Sequence, residues 1–317
     1  MELALLAQKL KQSLGIVHKQ DIQTVARFLA TENAPSDILL GDDCAAIPDG
    51  DGYLLLATEG MMPDFVSSDP WFAGWSAVMV NVSDIYAMGG RPIAVVDTLW
   101  SQDAAISQSL LAGMSAAARA YGVPIVGGHT NGRSEYNALS VAILGRAQQL
   151  ISSFTAQPGD RLVMAIDLRG KSHPKYPFWN AATETAPIRL CADLELLPKL
   201  AENGLCAAGK DISMGGIIGT TLMLLETSKC GAVLDLDAIP RPPEISVDRW
   251  LVSFPSYGFL LSVHPEHVPT VQQMFRDRQI VCEDIGEVSN SPQLMLKFHQ
   301  ESTVFWDFER EHLTGFR

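Results

Sequence analysis

Residues 71–88 read WFAGWSAVMVNVSDIYAM. Trp75, Val78, Met79, Val82, Ile85 and Tyr86 recur at the i, i+3, i+4, i+7 spacing of one helix face. On the flank beside that stripe Ala77, Asn81, Asp84 and Met88 also recur at helical spacing, so this helix is expected to be covered over most of its circumference. Asn81 and Asp84 are then polar groups in apolar surroundings, where a carboxylate is costly unless a cation or several donors satisfy it. Two readings follow: Asp84 braces a neighbouring loop, or it holds a divalent cation.

Working outward, helical periodicity predicts helices over 3–14, 20–31, 72–88 and 104–121, with strands near 53–57, 93–99, 123–126 and 138–145. The connector ISSFTAQPGDR, 151–161, marks a boundary. It divides the chain into domains 1–152 and 153–317. Beyond it the pattern predicts strands near 162–167, 232–236, 258–263 and 293–298, and helices near 188–202, 216–228 and 266–276. Helix and strand alternate without the regular βαβ rhythm of a doubly wound sheet, which points to an α+β, α/β-type two-domain fold. There is no 20–50 residue repeat.

The 317 residues carry 36 acidic and 23 basic side chains, a formal charge of −13. That balance opposes nucleic-acid binding, which needs a basic stripe to neutralise phosphates. No apolar run approaches the roughly 18 residues that cross a bilayer, so no membrane partner is expected. MELALLAQKLKQSLG reads as a helix rather than a signal peptide, and a cytoplasmic location is expected. Cys44, Cys191, Cys206, Cys230 and Cys282 show no CxxC pair or zinc spacing and read as small core hydrophobes.

The acids are unevenly placed. Between Ala34 and Asp103 stand eleven, including Asp37 and Asp97, against one base, Arg91. A solvated acidic face would explain many of them. Three sites within this stretch fit a different use. In LLGDDCAAIPDG, Asp42 and Asp43 follow a short apolar run; alone, that triplet is turn chemistry. In LLLATEGMM, Thr58 and Glu59 end the strand-like run Tyr53 to Ala57, a position where chemistry is often mounted. Asp84 is the third. Hard cations such as Mg²⁺ take oxygen ligands and bind phosphates, so convergence of these sites would suit a phosphate ligand. Glycine-bearing loops occur at AMGGRP, IVGGHTNG and DISMGGI, and none is a Walker loop or a clean GxGxxG.

In order along the chain, GDDCAAI at 41–47, LLLATEG at 54–60, NVSDIYAMGGRP at 81–92, VGGHTNG at 126–132 and DISMGG at 211–216 resemble the aminoimidazole ribonucleotide (AIR) synthetase superfamily. That group includes thiamine monophosphate kinase, selenophosphate synthetase and a hydrogenase-maturation protein. The resemblance implies an N-terminal domain whose mixed sheet forms a barrel-like homodimer interface, and a C-terminal α/β domain closing over a cleft. It implies ATP held through Mg²⁺ and acidic side chains. By the resemblance, Asp42, Asp43, Glu59, Asp84 and Asp211 are metal ligands, and Asn81, Gly127, Gly128, His129 and Thr130 lie beside the nucleotide.

The chain also departs from that pattern. Glu59 stands where the kinases carry Asp, His129 replaces the acid of their GGDT, and Met214 replaces a second Asp in the last motif. No cysteine precedes Cys44, which argues against selenide as a substrate, and the ending EREHLTGFR lacks the cysteine of the maturation protein.

The segment DLRGKSHPKYPFWNAATE, 167–184, maps onto none of these relatives. It brings Arg169, Lys171, His173 and Lys175 together with Tyr176, Phe178 and Trp179. It reads either as a Pro-broken surface loop or as a lid bringing cations to an anionic small-molecule substrate, with Trp179 stacked on a flat ring. Lys171, His173 and His129 are the candidate catalytic residues. The expected activity is ATP- and Mg²⁺-dependent phosphoryl transfer to, or activation of, a small molecule. The alternative is a non-catalytic ATP-binding accessory protein acting with a partner enzyme.

Overall fold

A computed structural model describes residues 2–29 and 38–316; the end of the helix predicted over 20–31, and Asp37 among the counted acids, lie outside the described residues. The chain opens with α1 (Leu3–Lys11), α2 (Leu14–Gln20) and α3 (Ile22–Leu29), followed by β1 (Ala45–Asp49), β2 (Gly52–Gly60), α4 (Pro63–Ser68) and α5 (Pro70–Ala87). Next come β3 (Arg91–Trp100), α6 (Ala104–Tyr121), β4 (Ile125–Asn131), β5 (Ala138–Ala147), β6 (Arg161–Ile166), β7 (Lys171–Ser172) and β8 (Phe178–Asn180). α7 (Pro187–Leu194), α8 (Leu196–Glu202), β9 (Ala208–Asp211), α9 (Gly216–Ser228), β10 (Gly231–Asp235), α10 (Val247–Trp250) and β11 (Phe254–Pro255) lead to β12 (Gly258–Val263). The chain closes through α11 (Val268–Arg276), β13 (Val281–Ser289), β14 (Gln293–Phe298) and β15 (Glu301–Asp307).

These elements form a mixed α/β fold of two compact units, neither of them a continuous stretch: one comprises Cys44–Gln149 with Thr183–Lys199, the other Met1–Asp43, Leu150–Ala182 and Leu200–Arg317. The first holds a five-stranded sheet in the order β1-β2-β5-β3-β4, antiparallel except for the parallel β3–β4 pair. The sheet is open, with β1 and β4 as its edges, so the single chain closes no barrel.

α5 packs on β2, β3 and β5, and α6 packs on α5. The two helices approach closely because each offers a glycine to the other. A Cβ at Gly74 would collide with the carbonyl oxygen of Leu110, and one at Gly113 with that of Trp71. The sequence expectation for α5 holds: every residue from Ala73 to Ala87 is buried. Asp69 caps it by accepting from the Phe72 N–H, and Pro70 fills the first turn, where no amide donor is needed.

α7 joins this unit by packing on α6, anchored by Arg91, whose guanidinium donates to both oxygens of Glu195 at 2.6–3.2 Å. The helix expected over 188–202 is therefore two helices, and Glu195 between them faces Arg91.

The second unit holds a seven-stranded sheet, β15-β14-β10-β13-β6-β12-β9, in which only β10–β14 is parallel among the described strands. Leu3, Leu6 and Leu10 of α1 and Ile217, Leu222 and Leu225 of α9 share its core with Leu260, Leu294, Leu296, Phe305 and Trp306. A small three-stranded sheet, β11-β8-β7, completes the unit.

Candidate metal and nucleotide site

In the seven-stranded unit the Gly41–Asp43 loop is fixed from several directions. Gly41 has φ +118°, and a Cβ there would lie 2.7 Å from the Cβ of Phe316, so only glycine fits. Both oxygens of Asp42 are occupied. Oδ1 accepts from the Asp43 amide at 3.1 Å; Oδ2 accepts from Ser152 Oγ at 2.7 Å and from the Ser153 amide at 3.0 Å.

Asp43 turns toward β9. Its Oδ1 lies 2.5 Å from Lys210 Nζ, its Oδ2 accepts from the Asp211 amide at 3.2 Å, and one of its oxygens lies within 4.8 Å of a carboxylate oxygen of Asp211. Lys210 is 3% exposed and also approaches Asp42 Oδ1, at 3.8 Å. Burial alone would push the Lys210 ammonium down, but the charges of Asp43 and Asp42 more than offset this and hold its pKa above the ordinary lysine value. Burial raises the Asp42 carboxyl against the opposing pull of Lys210.

Beyond Asp211 the chain turns through Gly215 and Gly216, at φ +100° and +62°, into α9. Thr220 Oγ1 donates to the Asp211 carbonyl at 3.1 Å and ties that turn back to the strand. Thus Asp42, Asp43 and Asp211, which sequence reasoning singled out, meet within one unit.

In the five-stranded unit Asn81 is fully buried and Asp84 is 6% exposed, both on α5. Asn81 Nδ2 donates to the Ala77 carbonyl at 2.8 Å, while its Oδ1 accepts from no group among the described residues. A buried amide oxygen left this way is costly and fits an incoming donor or cation.

Strand register sets Glu59, Val141, Asp97 and Gly128 in one row across β2, β5, β3 and β4. This row continues the face that α5 covers, because Leu55, Val95 and Ile143 of the same parity are buried. Gly128 is required there, since a Cβ would collide with Asp97 Oδ1. Burial raises the Asp97 carboxyl. Gly127 and His129 register with Val96 and Thr98, on the opposite face from Asp97, while Thr130 registers with Leu99 on the Asp97 side. The GGHT motif is therefore divided between the two faces of the sheet, and His129 is exposed.

The 167–184 segment is a folded hairpin. β7 and β8 pair, and Arg169 is held by Asp167 through bonds of 2.7 and 2.8 Å. Trp179 does not present a ring to a ligand: it is 3% exposed, donates to the Asp167 carbonyl at 2.9 Å and stacks edge-on against Trp250. The expected stacking on a flat substrate is thereby overturned, because the apolar indole is worth more inside the core with its N–H satisfied. His173 Nδ1 accepts from the amides of Lys175 and Tyr176, a turn-forming role, and Lys171 is exposed on β7.

Lys210, Ser152, Ser153 and Asp97 escaped the sequence reading. A single lysine reads as surface, and the serines lay in what read as a connector. No local signal marked Lys210, whose burial appears only once β9 pairs with β12. No disulfide joins any of the five cysteines, and burial pushes Cys206, Cys230 and Cys282 up to about 12, which fits their reading as core residues.

No helix among the described residues is long and apolar enough to cross a membrane. A protein of Synechocystis sp. described as uncharacterised is 57% identical, over 97% of each chain. The fold resembles T. maritima PurL complexed with ADP, with a TM-score of 0.74, 18% identity and coverage of 95% of this chain and 52% of that one. It also resembles AaThiL complexed with AMPPCP and TMP, with a TM-score of 0.68, 20% identity and coverage of 90% and 96%. The chain spans about half the length of the PurL chain it matches. Residues 41–147 match the N-terminal domain, and residues 161–298 the C-terminal domain, of AIR synthase related proteins, and the chain belongs to that family.

Proposed function

We propose that this protein binds ATP with Mg²⁺ and uses it to phosphorylate, or to activate for attack, a small anionic molecule in the cytoplasm. The observation that carries the reading is the oxygen-donor set buried in a family whose relatives include proteins described in complex with ADP and AMPPCP. Asp43 and Asp211 meet in one unit, and Asp84 is buried beside an unsatisfied Asn81 oxygen in the other. Carboxylate and amide oxygens without thiolate or imidazole suit a hard cation.

Asp43, Asp211, Asp84 and Glu59 are the ligand candidates, with Asn81, Gly128 and Thr130 beside the nucleotide. Mg²⁺, when bound, supplies charge neutralisation at the phosphates. The protein's own share is positioning: Asp42 holds the Asp43 loop, and Gly128 keeps the row beside Asp97 open. The outward face of the five-stranded sheet, with Leu56 and Val96 47% and 42% exposed, is the surface for a second copy in a homodimer.

Calorimetry of ATP with and without Mg²⁺, followed by a metabolite screen for ADP formation, tests this reading. Expected are Mg²⁺-dependent ATP binding and ADP release stimulated by one metabolite class. Absence of ATP binding in the presence of Mg²⁺ overturns it. Tight binding with slow hydrolysis that no metabolite stimulates favours the accessory-protein alternative.

The hairpin with Lys171 and Lys175 is the proposed source of cations for the acceptor. Lys171→Ala is expected to lower kcat/KM for that acceptor roughly tenfold, about 1.4 kcal/mol, with ATP affinity preserved. Unchanged kcat/KM removes the hairpin from the mechanism.

A further inference from the structure

We propose that Lys210 is a resident cation of the acidic loop: its ammonium fills one cation position, so this unit accepts at most one divalent ion, on the Asp43–Asp211 side, and Asp42 is an anchor rather than a ligand. The inference deepens the Mg²⁺ reading above and rests on it for the identity of the ion.

Lys210 cannot be a solvated surface charge. All four residues of β9 are buried, and the strand is paired along its length with β12, placing Lys210 opposite Leu260. Its side chain ends between Asp43 Oδ1 at 2.5 Å and Asp42 Oδ1 at 3.8 Å. A divalent ion bridging these two aspartates would occupy the same space, and the lysine, 3% exposed on the edge strand β9, is held out of solvent.

Asp42 is also unsuited to a ligand's role on its other side. Ser152 Oγ and the Ser153 amide already take its Oδ2, and the Asp43 amide takes its Oδ1. These contacts hold the carboxylate in place as the wall against which Lys210 rests. Asp43 differs, because its second oxygen faces the Asp211 amide and carboxylate.

One ammonium compensates one of the three aspartates, leaving two negative charges. A single divalent ion can neutralise these, and a second would meet a fixed positive charge within a few ångströms. The lysine therefore sets both the number of ions and the charge the loop presents to a triphosphate.

The test replaces Lys210 with methionine, which keeps the apolar stem and removes the charge, and titrates Mn²⁺ by electron paramagnetic resonance, first alone and then with a non-hydrolysable ATP analogue. Lys210→Met is expected to bind Mn²⁺ alone at least tenfold more tightly than wild type and to take up one more Mn²⁺ per chain with the analogue. Equal affinity and equal stoichiometry in folded Lys210→Met overturn the proposal.

Where Lys210→Met yields too little folded protein, Lys210→Gln, which removes the charge but keeps a hydrogen-bond donor for the aspartates, is titrated with the same expectation. A Lys210→Gln variant indistinguishable from wild type overturns the proposal equally. Wild type that binds no Mn²⁺ with the analogue refutes the metal reading of the site, while the comparison of Lys210→Met with wild type still decides the role of the lysine.

Discussion

Asp84→Asn lowers the affinity for Mg²⁺–ATP at least a hundredfold, about 2.7 kcal/mol, while shifting the urea unfolding free energy by less than about 1 kcal/mol. The two effects separate because asparagine has nearly the shape of aspartate. α5 is buried from Ala73 to Ala87 and presses on both α6 and the sheet, so its packing depends on side-chain volume at position 84 and not on charge. Charge is what a metal-bound triphosphate requires.

An amide oxygen can ligate a hard cation but brings no charge, and the Asn81 oxygen one turn earlier already supplies one such neutral donor. Isothermal calorimetry with Mg²⁺–ATP reads the first effect and equilibrium unfolding the second. Unchanged affinity removes Asp84 from the site. An affinity loss accompanied by a large fall in stability reduces it to a structural brace.

How much of this was legible in the sequence depended on whether a residue's neighbours in sequence are also its neighbours in space. α5 and α6 were readable because the apolar period runs unbroken for eighteen residues each. β13 was not, because its alternation is interrupted by a bulge between Asp284 and Gly286 and because Asp284 and Glu287, which pair with Arg161 of β6, set charges within the strand. β9 is only four residues long and carries two charges, so nothing local distinguishes it from a loop.

The same limit governs the site. Asp42 and Asp43 announce themselves as acids after a short apolar run, and Asp211 enters through the order of motifs that carries the family likeness. Their counter-charge does not announce itself: Lys210 acquires its meaning from residues more than 160 positions away. The hairpin at 171–180 misled in the opposite sense, since Trp179 gains its partners, Asp167 and Trp250, only when β8 folds beside β11.

A second long-range charge carries the other large effect. Glu226 stands in the apolar run GIIGTTLMLLETS and is 1% exposed. Its carboxylate accepts from the amides of Leu313 and Thr314 at 2.9 and 2.7 Å, from Thr314 Oγ1 at 2.6 Å and from the Gly315 amide at 3.3 Å. The segment so clasped is also held by Gln23, whose side-chain amide donates to the carbonyls of His312 and Leu313, and it ends with Phe316 against Gly41.

Glu226→Ala strips four bonds at once, three of them from buried Leu313 and Thr314, and opens a void in α9, a combination expected to cost about 3–5 kcal/mol. Glu226→Gln keeps the shape but turns one oxygen into a donor facing other donors, and is expected to cost about half as much. Hydrogen exchange provides the signature: amides of residues 313–315 lose protection in both variants, those of α5 in neither.

Because Phe316 packs on the glycine immediately before Asp42, release of this strap also loosens the loop that presents Asp43. A three- to tenfold fall in Mg²⁺–ATP affinity therefore accompanies Glu226→Gln at temperatures where the protein is fully folded. Preserved protection at 313–315 in Glu226→Ala dismisses the clasp. Lost protection with unchanged nucleotide affinity confines it to stability.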